Sequence, residues 1–222
     1  MDDAKWERAA GAGGILFVVL ALVSAFLPGA PPMTSDSAKE IAEYFNDHAD
    51  AIRQASFLGI IATLPIVWWT AAMYRMLDRA TGNARLGVML AVGVAIATVA
   101  AGASAIVFAT VALMGVGGSG GLSETKFFYV LGTNLNALVA IGTALAVGSV
   151  SAGVLRTGMM PKWLGWLGAL VALVAVGGSL VGVSGNDAVM GLLLVGFLGF
   201  SLWLVIVSVL MLRRPAESAA AT

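Results

Sequence analysis

The chain has 222 residues, 59% of them hydrophobic and 11% charged, and its net charge is zero. A soluble domain carries roughly 25% charged residues, so an ordinary water-facing surface is excluded. A neutral chain also lacks the basic footprint that nucleic acid requires. The absence of cysteine removes disulfides and thiolate metal sites.

Six apolar stretches follow one another: Ala10–Leu27, Ala55–Leu77, Leu86–Gly115, Phe127–Leu155, Trp163–Val183 and Ala188–Leu212. Each approaches or exceeds the ~20 residues that cross a ~30 Å hydrocarbon core. In hydrocarbon every backbone N–H and C=O needs a partner within its own segment, so each stretch is expected to be a helix. The expected fold is all-α. It is a polytopic bundle of six transmembrane helices forming one domain over residues 1–214, with a disordered tail over 215–222.

Ahead of span one, Asp2, Asp3 and Glu7 offset Lys5 and Arg8. Val23-Ser24-Ala25 has the form of a signal-peptide cleavage site, but such peptides carry a clearly positive start, so span one reads as retained. Pro28, Pro31 and Pro32 then make a stiff exit from the membrane. Ser37 with Glu40 has the spacing of a capping box. Apolar residues at helical spacing predict a short amphipathic outer helix, Ala38–Ala51, interspersed with Glu40, Glu43, Asp47 and Asp50. Helices that rest on anionic lipid are rich in Lys and Arg. This acidic one is expected instead to cap its own bundle, with Ile41, Tyr44, Phe45 and His48 on the apolar side as a covering helix or a lid over a ligand. A single histidine beside divergent carboxylates makes a poor metal site, so neither metal nor cofactor is expected.

Within span two, Pro65 removes a donor and crowds the Ile61 carbonyl, which Thr63 or a neighbouring helix is placed to satisfy. A kink follows, either structural or a hinge that exposes Trp68 and Trp69 to a cavity. Span three carries Gly93, Ala97, Ala101 and Ala105 at four-residue steps. Span four carries Ala144, Gly148 and Ala152, and span five has Gly178 and Gly182 in a GxxxG. Such small residues let helix backbones approach closely. The glycine-rich gap 115–121 lacks the strand and the Lys of a phosphate loop and reads as a flexible turn.

Span four also contains Thr133, Asn134 and Asn136. Two positions apart, the amides face different neighbours, and each is expected either to bond across helices or to line a polar cavity. Asp187 is placed to cap span six.

The cations alternate. Lys5, Arg8, Arg75, Arg79, Arg85, Arg156, Lys162, Arg213 and Arg214 fall on one side of the membrane, and Lys39, Arg53 and Lys126 on the other. Nine against three predicts that both termini are cytoplasmic. A three-plus-three repeat of spans finds no support: Trp6-Glu7-Arg8-Ala9-Ala10-Gly11 and Trp163-Leu164-Gly165-Trp166 align for only one turn.

Three stretches carry a resemblance: Arg8-Ala9-Ala10-Gly11, the segment from Phe57-Leu58-Gly59-Ile60 to Met73-Tyr74-Arg75-Met76-Leu77, and Leu155-Arg156-Thr157-Gly158-Met159-Met160-Pro161-Lys162-Trp163-Leu164-Gly165. Together they resemble an uncharacterised family of bacterial six-span membrane proteins, a domain of unknown function. The alanine- and glycine-rich style is similar to actinobacterial proteins. The resemblance implies a topology and no activity.

The expected setting is the bacterial cytoplasmic membrane. No enzyme is expected, because no span pairs a nucleophile with a base. Two functions remain open. One is a lipid- or apolar-ligand-binding or accessory subunit, partnered by membrane lipids, another membrane subunit or further copies of itself. The other is a small transporter or channel. The candidate cavity residues are Pro65, Trp68, Trp69, Thr133, Asn134 and Asn136. Reporter fusions are expected to place Asn83 in the cytoplasm and Glu43 outside; the reverse pattern refutes the topology.

Overall fold

A computed structural model describes residues 3–114, 121–180 and 187–213. Among these residues every regular element is an α-helix: α1 Asp3–Phe26, α2 Ala38–Asp47, α3 Ala49–Thr81, α4 Arg85–Met114, α5 Leu122–Thr157, α6 Lys162–Ser179 and α7 Asp187–Leu212. All but α2 are long and apolar enough to span a membrane, and the protein is an integral membrane protein.

α1, α3 and α5 start or end beyond their expected apolar stretches, because polar residues at the ends continue the same backbone hydrogen-bonding, while α6 stops at Ser179, short of the expected Val183. The outer helix is shorter than its periodicity predicts. It stops at Asp47, where His48 takes up φ −114°, ψ 16° and its N–H closes on the Tyr44 carbonyl. Ala49 to Gln54 belong to α3, which begins outside the apolar stretch. The chain has to turn from the bundle's end into its axis there, and one irregular residue makes the turn. Pro65 does not break α3, which runs continuously from Ala49 to Thr81. The Thr63 hydroxyl donates to Ile60, one residue short of the carbonyl that proline frees. The glycine-rich gap from 115 to 120, Gly182 and the tail from 215 lie outside the described residues, as does the Asp187 side chain.

Six helices form a closed ring in which α1 packs on α3, α3 on α4, α4 on α5, α5 on α6, α6 on α7 and α7 back on α1. The ring consists of three antiparallel hairpins, α1–α3, α4–α5 and α6–α7. The second helix of each carries a similar pattern towards its C-terminal part: Thr70-Ala71-Ala72-Met73-Tyr74-Arg75, six residues before the end of α3, Ser151-Ala152-Gly153-Val154-Leu155-Arg156 and Ser208-Val209-Leu210-Met211-Leu212-Arg213. Against one or both of the residues before each arginine the next hairpin lays a glycine. A Cβ on Gly87 would meet the Tyr74 ring at 2.8 Å; on Gly165, Leu155 at 2.8 Å and Val154 at 3.2 Å; on Gly11, Leu212 and Met211 at 3.2 Å. The three seams between hairpins thus share a glycine set near an arginine.

One turn further in, Gly14 faces Ser208 and Trp69, and Gly168 faces Ser151 and Trp203. The Trp203 indole donates to the Leu164 carbonyl at 3.1 Å. The Trp69 indole and the Ser151 and Ser208 hydroxyls are buried without a partner.

The main core lies at this arginine end. It includes Trp69, Met73, Leu77, Val147, Val150, Val154, Leu164, Trp203, Leu204, Val207 and Met211. Inside the α4–α5 hairpin the backbones nearly touch. A Cβ on Gly142 would stand 2.5 Å from the Gly93 carbonyl oxygen, and one on Gly93 2.6 Å from that of Gly142. Gly142→Val is expected to destabilise the bundle by about 1–3 kcal/mol through overpacking. Gly102, with nothing near its missing Cβ, is expected to gain about 0.5–1 kcal/mol as Gly102→Ala. Unfolding in detergent of the two variants beside the parent checks both signs.

Candidate functional site

At the end opposite the arginines, the loop after α1 and α2 fold over the bundle. Ser37 caps α2 by accepting from the Glu40 N–H at 3.2 Å, while the Glu40 carboxylate accepts from the Ser37 N–H at 2.9 Å and from its hydroxyl at 2.8 Å. Those donors, the backbone one first, hold the Glu40 carboxyl below its ordinary value. Ile41, Ala42 and Phe45 are buried against Ile52 of α3, Val111 and Ala112 of α4, and Tyr129 of α5. Phe45, Phe108 and Tyr129 form a ring cluster with centroids 5.9 to 6.2 Å apart.

The loop is strapped down from α5. Lys126 donates to the Asp36 carbonyl at 2.7 Å and the Tyr129 hydroxyl donates to Pro32. From α2, Tyr44 donates to Pro28 at 3.3 Å, and half-burial pushes its phenol up. His48 is exposed rather than turned to the apolar side. Its ring stacks on Tyr44 and its Nδ1 lies 3.0 Å from the Tyr44 carbonyl, a contact that places a proton on Nδ1. Of the four expected covering residues, then, Ile41 and Phe45 are fully engaged, Tyr44 half so, and His48 faces out. No group of three His, Asp or Glu side chains able to hold a metal occurs among the described residues.

The six expected cavity residues do not gather around one space. Trp69 is 2% exposed and lies against Gly14. Trp68 points outward, 5.3 Å from Trp6. Pro65 packs its carbonyl towards Gly13. Thr133 is buried and donates to its own helix at Tyr129. Asn134 is exposed on the outward face of α5, and Asn136 is half-buried. Neither amide bonds another described residue, so the expected bonds between helices are not made.

Two polar side chains of α5, Asn136 and Thr143, lie between the two cores. Along the interior line of α5, Tyr129 and Val147 are buried, while Asn136, seven residues after Tyr129, and Thr143, four before Val147, are only half-buried, with the buried Ala140 between them. Beyond Val18 no residue of α1 is buried, and on α7 from Gly191 to Phe200 only Gly196 is. On the α3–α4 side, by contrast, Ala55, Ser56, Ala62, Ala100 and Ser104 are buried. Burial is high at the arginine end and beneath α2 and lower along Val19–Phe26 of α1 and Gly191–Phe200 of α7. Phe17 and Phe200, edge to face at 6.1 Å, rest on the main core. The Asn136 amide and the Thr143 hydroxyl, on an otherwise apolar stretch, have a chemistry that fits binding of an apolar molecule with one polar group.

A depression of about 490 Å³, lined by Asp50, Arg53, Gln54, Phe57 and Leu58, belongs to α3 alone. Arg53 and Asp50 neutralise each other there.

Interior periodicity cannot flag the half-burial of Asn136, because Asn136 and Val147 share a face and differ only in what stands opposite. Phe45→Ala is expected to weaken the docking of α2 by about 3–5 kcal/mol. Amide exchange over Ala38–Asp47 then accelerates by roughly 10²–10³-fold while α4–α5 exchange is unchanged. Because the folded Glu40 pKa is lowered, its support of α2 is complete above the ordinary carboxylate range and fades as pH falls through the folded value. The protection of α2 against exchange, relative to the intrinsic rate at each pH, therefore falls in acid, and Glu40→Gln reduces that dependence. Comparison with protein-family models, with curated proteins and with solved structures finds no match for this chain.

Proposed function

We propose that this protein binds a lipid or another apolar molecule beside Asn136 and Thr143 of α5, and serves as a binding or accessory subunit in the bacterial cytoplasmic membrane. The nine-to-three division of Lys and Arg supports an orientation with both termini and the arginine end in the cytoplasm. Asn136 and Thr143 then lie deeper in the membrane than the α2 cap. Membership of the uncharacterised six-span family rests on the residues of resemblance. Several of these, among them Gly11, Tyr74, Leu155 and Gly165, take part in the seams between hairpins.

The observation that carries the reading is the half-burial of Asn136 and Thr143 on a line whose other members, Tyr129, Ala140 and Val147, are buried. An acyl chain matches the otherwise apolar stretch, and the amide offers both a donor and an acceptor to an ester or a headgroup. Conduction is less well supported, because large buried side chains such as Trp203, Met73 and Met211 fill the arginine end.

Native mass spectrometry of the protein extracted from its own membrane is expected to show a retained lipid or apolar adduct. Thr143→Trp is expected to remove it while leaving the unfolding midpoint in place, since the ring takes the ligand's place. Val99→Trp, on an outward face that is 73% exposed, is expected to retain it. If the parent carries no adduct, or if Thr143→Trp destabilises by the ~1–3 kcal/mol typical of overpacking, the surroundings of Thr143 are filled by the protein itself and the reading fails.

A further inference from the structure

Polar side chains within the spans are mostly satisfied close to home. Thr63, Thr70, Thr98, Thr110, Thr133 and Ser201 donate to carbonyls three or four residues back on their own helices. Ser104 donates across the α4–α5 hairpin to Gly132 at 2.9 Å. Asn134 differs from all of these, being exposed with no hydrogen bond to any other described residue.

Its surroundings place that amide in hydrocarbon. Phe127, Leu131, Asn134, Leu138 and Ile141 recur at steps of four and three residues, one face of a helix. The four apolar members are between 39% and 63% exposed, so the face turns away from the bundle. Lys126 holds the outer loop and Arg156 ends the helix. At 1.5 Å per residue they stand about 45 Å apart along the axis, the thickness of a bilayer with its headgroups. Asn134 lies about 12 Å inward of Lys126, within the ~30 Å hydrocarbon layer. An amide left unpaired there is costly, and an acyl chain has nothing to offer it.

We propose that this face of α5 is a homodimer interface, closed by reciprocal hydrogen bonds between the Asn134 amides of two copies. An amide donates and accepts at once, so it is complementary to itself across a two-fold axis. A second copy brings the required group by identity, together with the matching apolar stripe. Lone amides on otherwise apolar faces set register and partner number in this way, at helix seams in water and in lipid. The dimer does not depend on the lipid-binding reading, since Asn136 and Thr143 face the interior and Asn134 the exterior.

The natural chain has no cysteine, so single cysteines report the interface cleanly. In native membranes, Leu131→Cys and Leu138→Cys are expected to cross-link into a homodimer on oxidation. Val99→Cys on the outward face of α4 is not. Adding Asn134→Leu to Leu138→Cys is expected to reduce the cross-link. In liposomes, Asn134→Leu is expected to raise the dimer dissociation constant, measured by energy transfer on lipid dilution, by about 5- to 30-fold. Asn134→Gln, which keeps the amide, is expected to restore most of the association.

The proposal is overturned if neither stripe cysteine cross-links, or if Val99→Cys cross-links equally well. A stripe cysteine that joins a different polypeptide, or an Asn134→Leu variant that leaves the dissociation constant unchanged, also overturns it. The cysteine mapping stands by itself should Asn134→Leu misfold.

Discussion

Lipid tails are as apolar as leucine, so the hydrophobic effect cannot pull one of these helices against the next; cohesion depends on how closely their backbones approach. Glycine sets that distance at the seams. Gly93 and Gly142 bring α4 and α5 almost into backbone contact, and Gly11, Gly87 and Gly165 seat each hairpin on the end of its neighbour. With the backbones close, the larger side chains of Trp203, Met73, Leu77 and Met211 fill the remaining space at the arginine end. Dispersion between well-packed atoms then supplies the attraction that water would supply elsewhere.

The two ends of the bundle solve different problems. At the arginine end the repeated seam closes all three hairpin junctions in the same manner. At the other end, among the described residues, α2 brings Ile41 and Phe45 onto α3, α4 and α5. Asn136 and Thr143 come from α5, the helix that also anchors the cap through Lys126 and Tyr129. Asn134, on the opposite face of the same helix, points away from the bundle.

Several features escaped sequence reading for identifiable reasons. The shared seam is short and sits towards the helix ends, where three patterns ending in arginine look like ordinary interfacial anchors until Gly11, Gly87 and Gly165 are seen against them. The periodicity that carried the outer helix on to Ala51 is real, since α3 resumes helical geometry at Ala49. A pattern of apolar spacing cannot register the single backbone turn at His48. Trp68 and Trp69 are adjacent in sequence, yet one faces lipid and the other the core. Asn134 and Asn136 show the same limit, because two polar residues in a span look alike until their faces are assigned.

Hydrophobic length and charge alternation alone determined the number of spans, their helical state and the presence of a capped outer helix. Each of these follows from a local rule: hydrocarbon leaves a backbone no other way to satisfy its hydrogen bonds, and Ser37 and Glu40 cap each other within one turn. Only the tertiary structure decided which residues face one another. The order of the helices around the ring, the more and less buried stretches of each helix, and the outward aim of Asn134 depend on contacts between helices far apart in the chain. In lipid those contacts are chosen by the fit of one surface to another, and that fit leaves no periodic trace in the sequence.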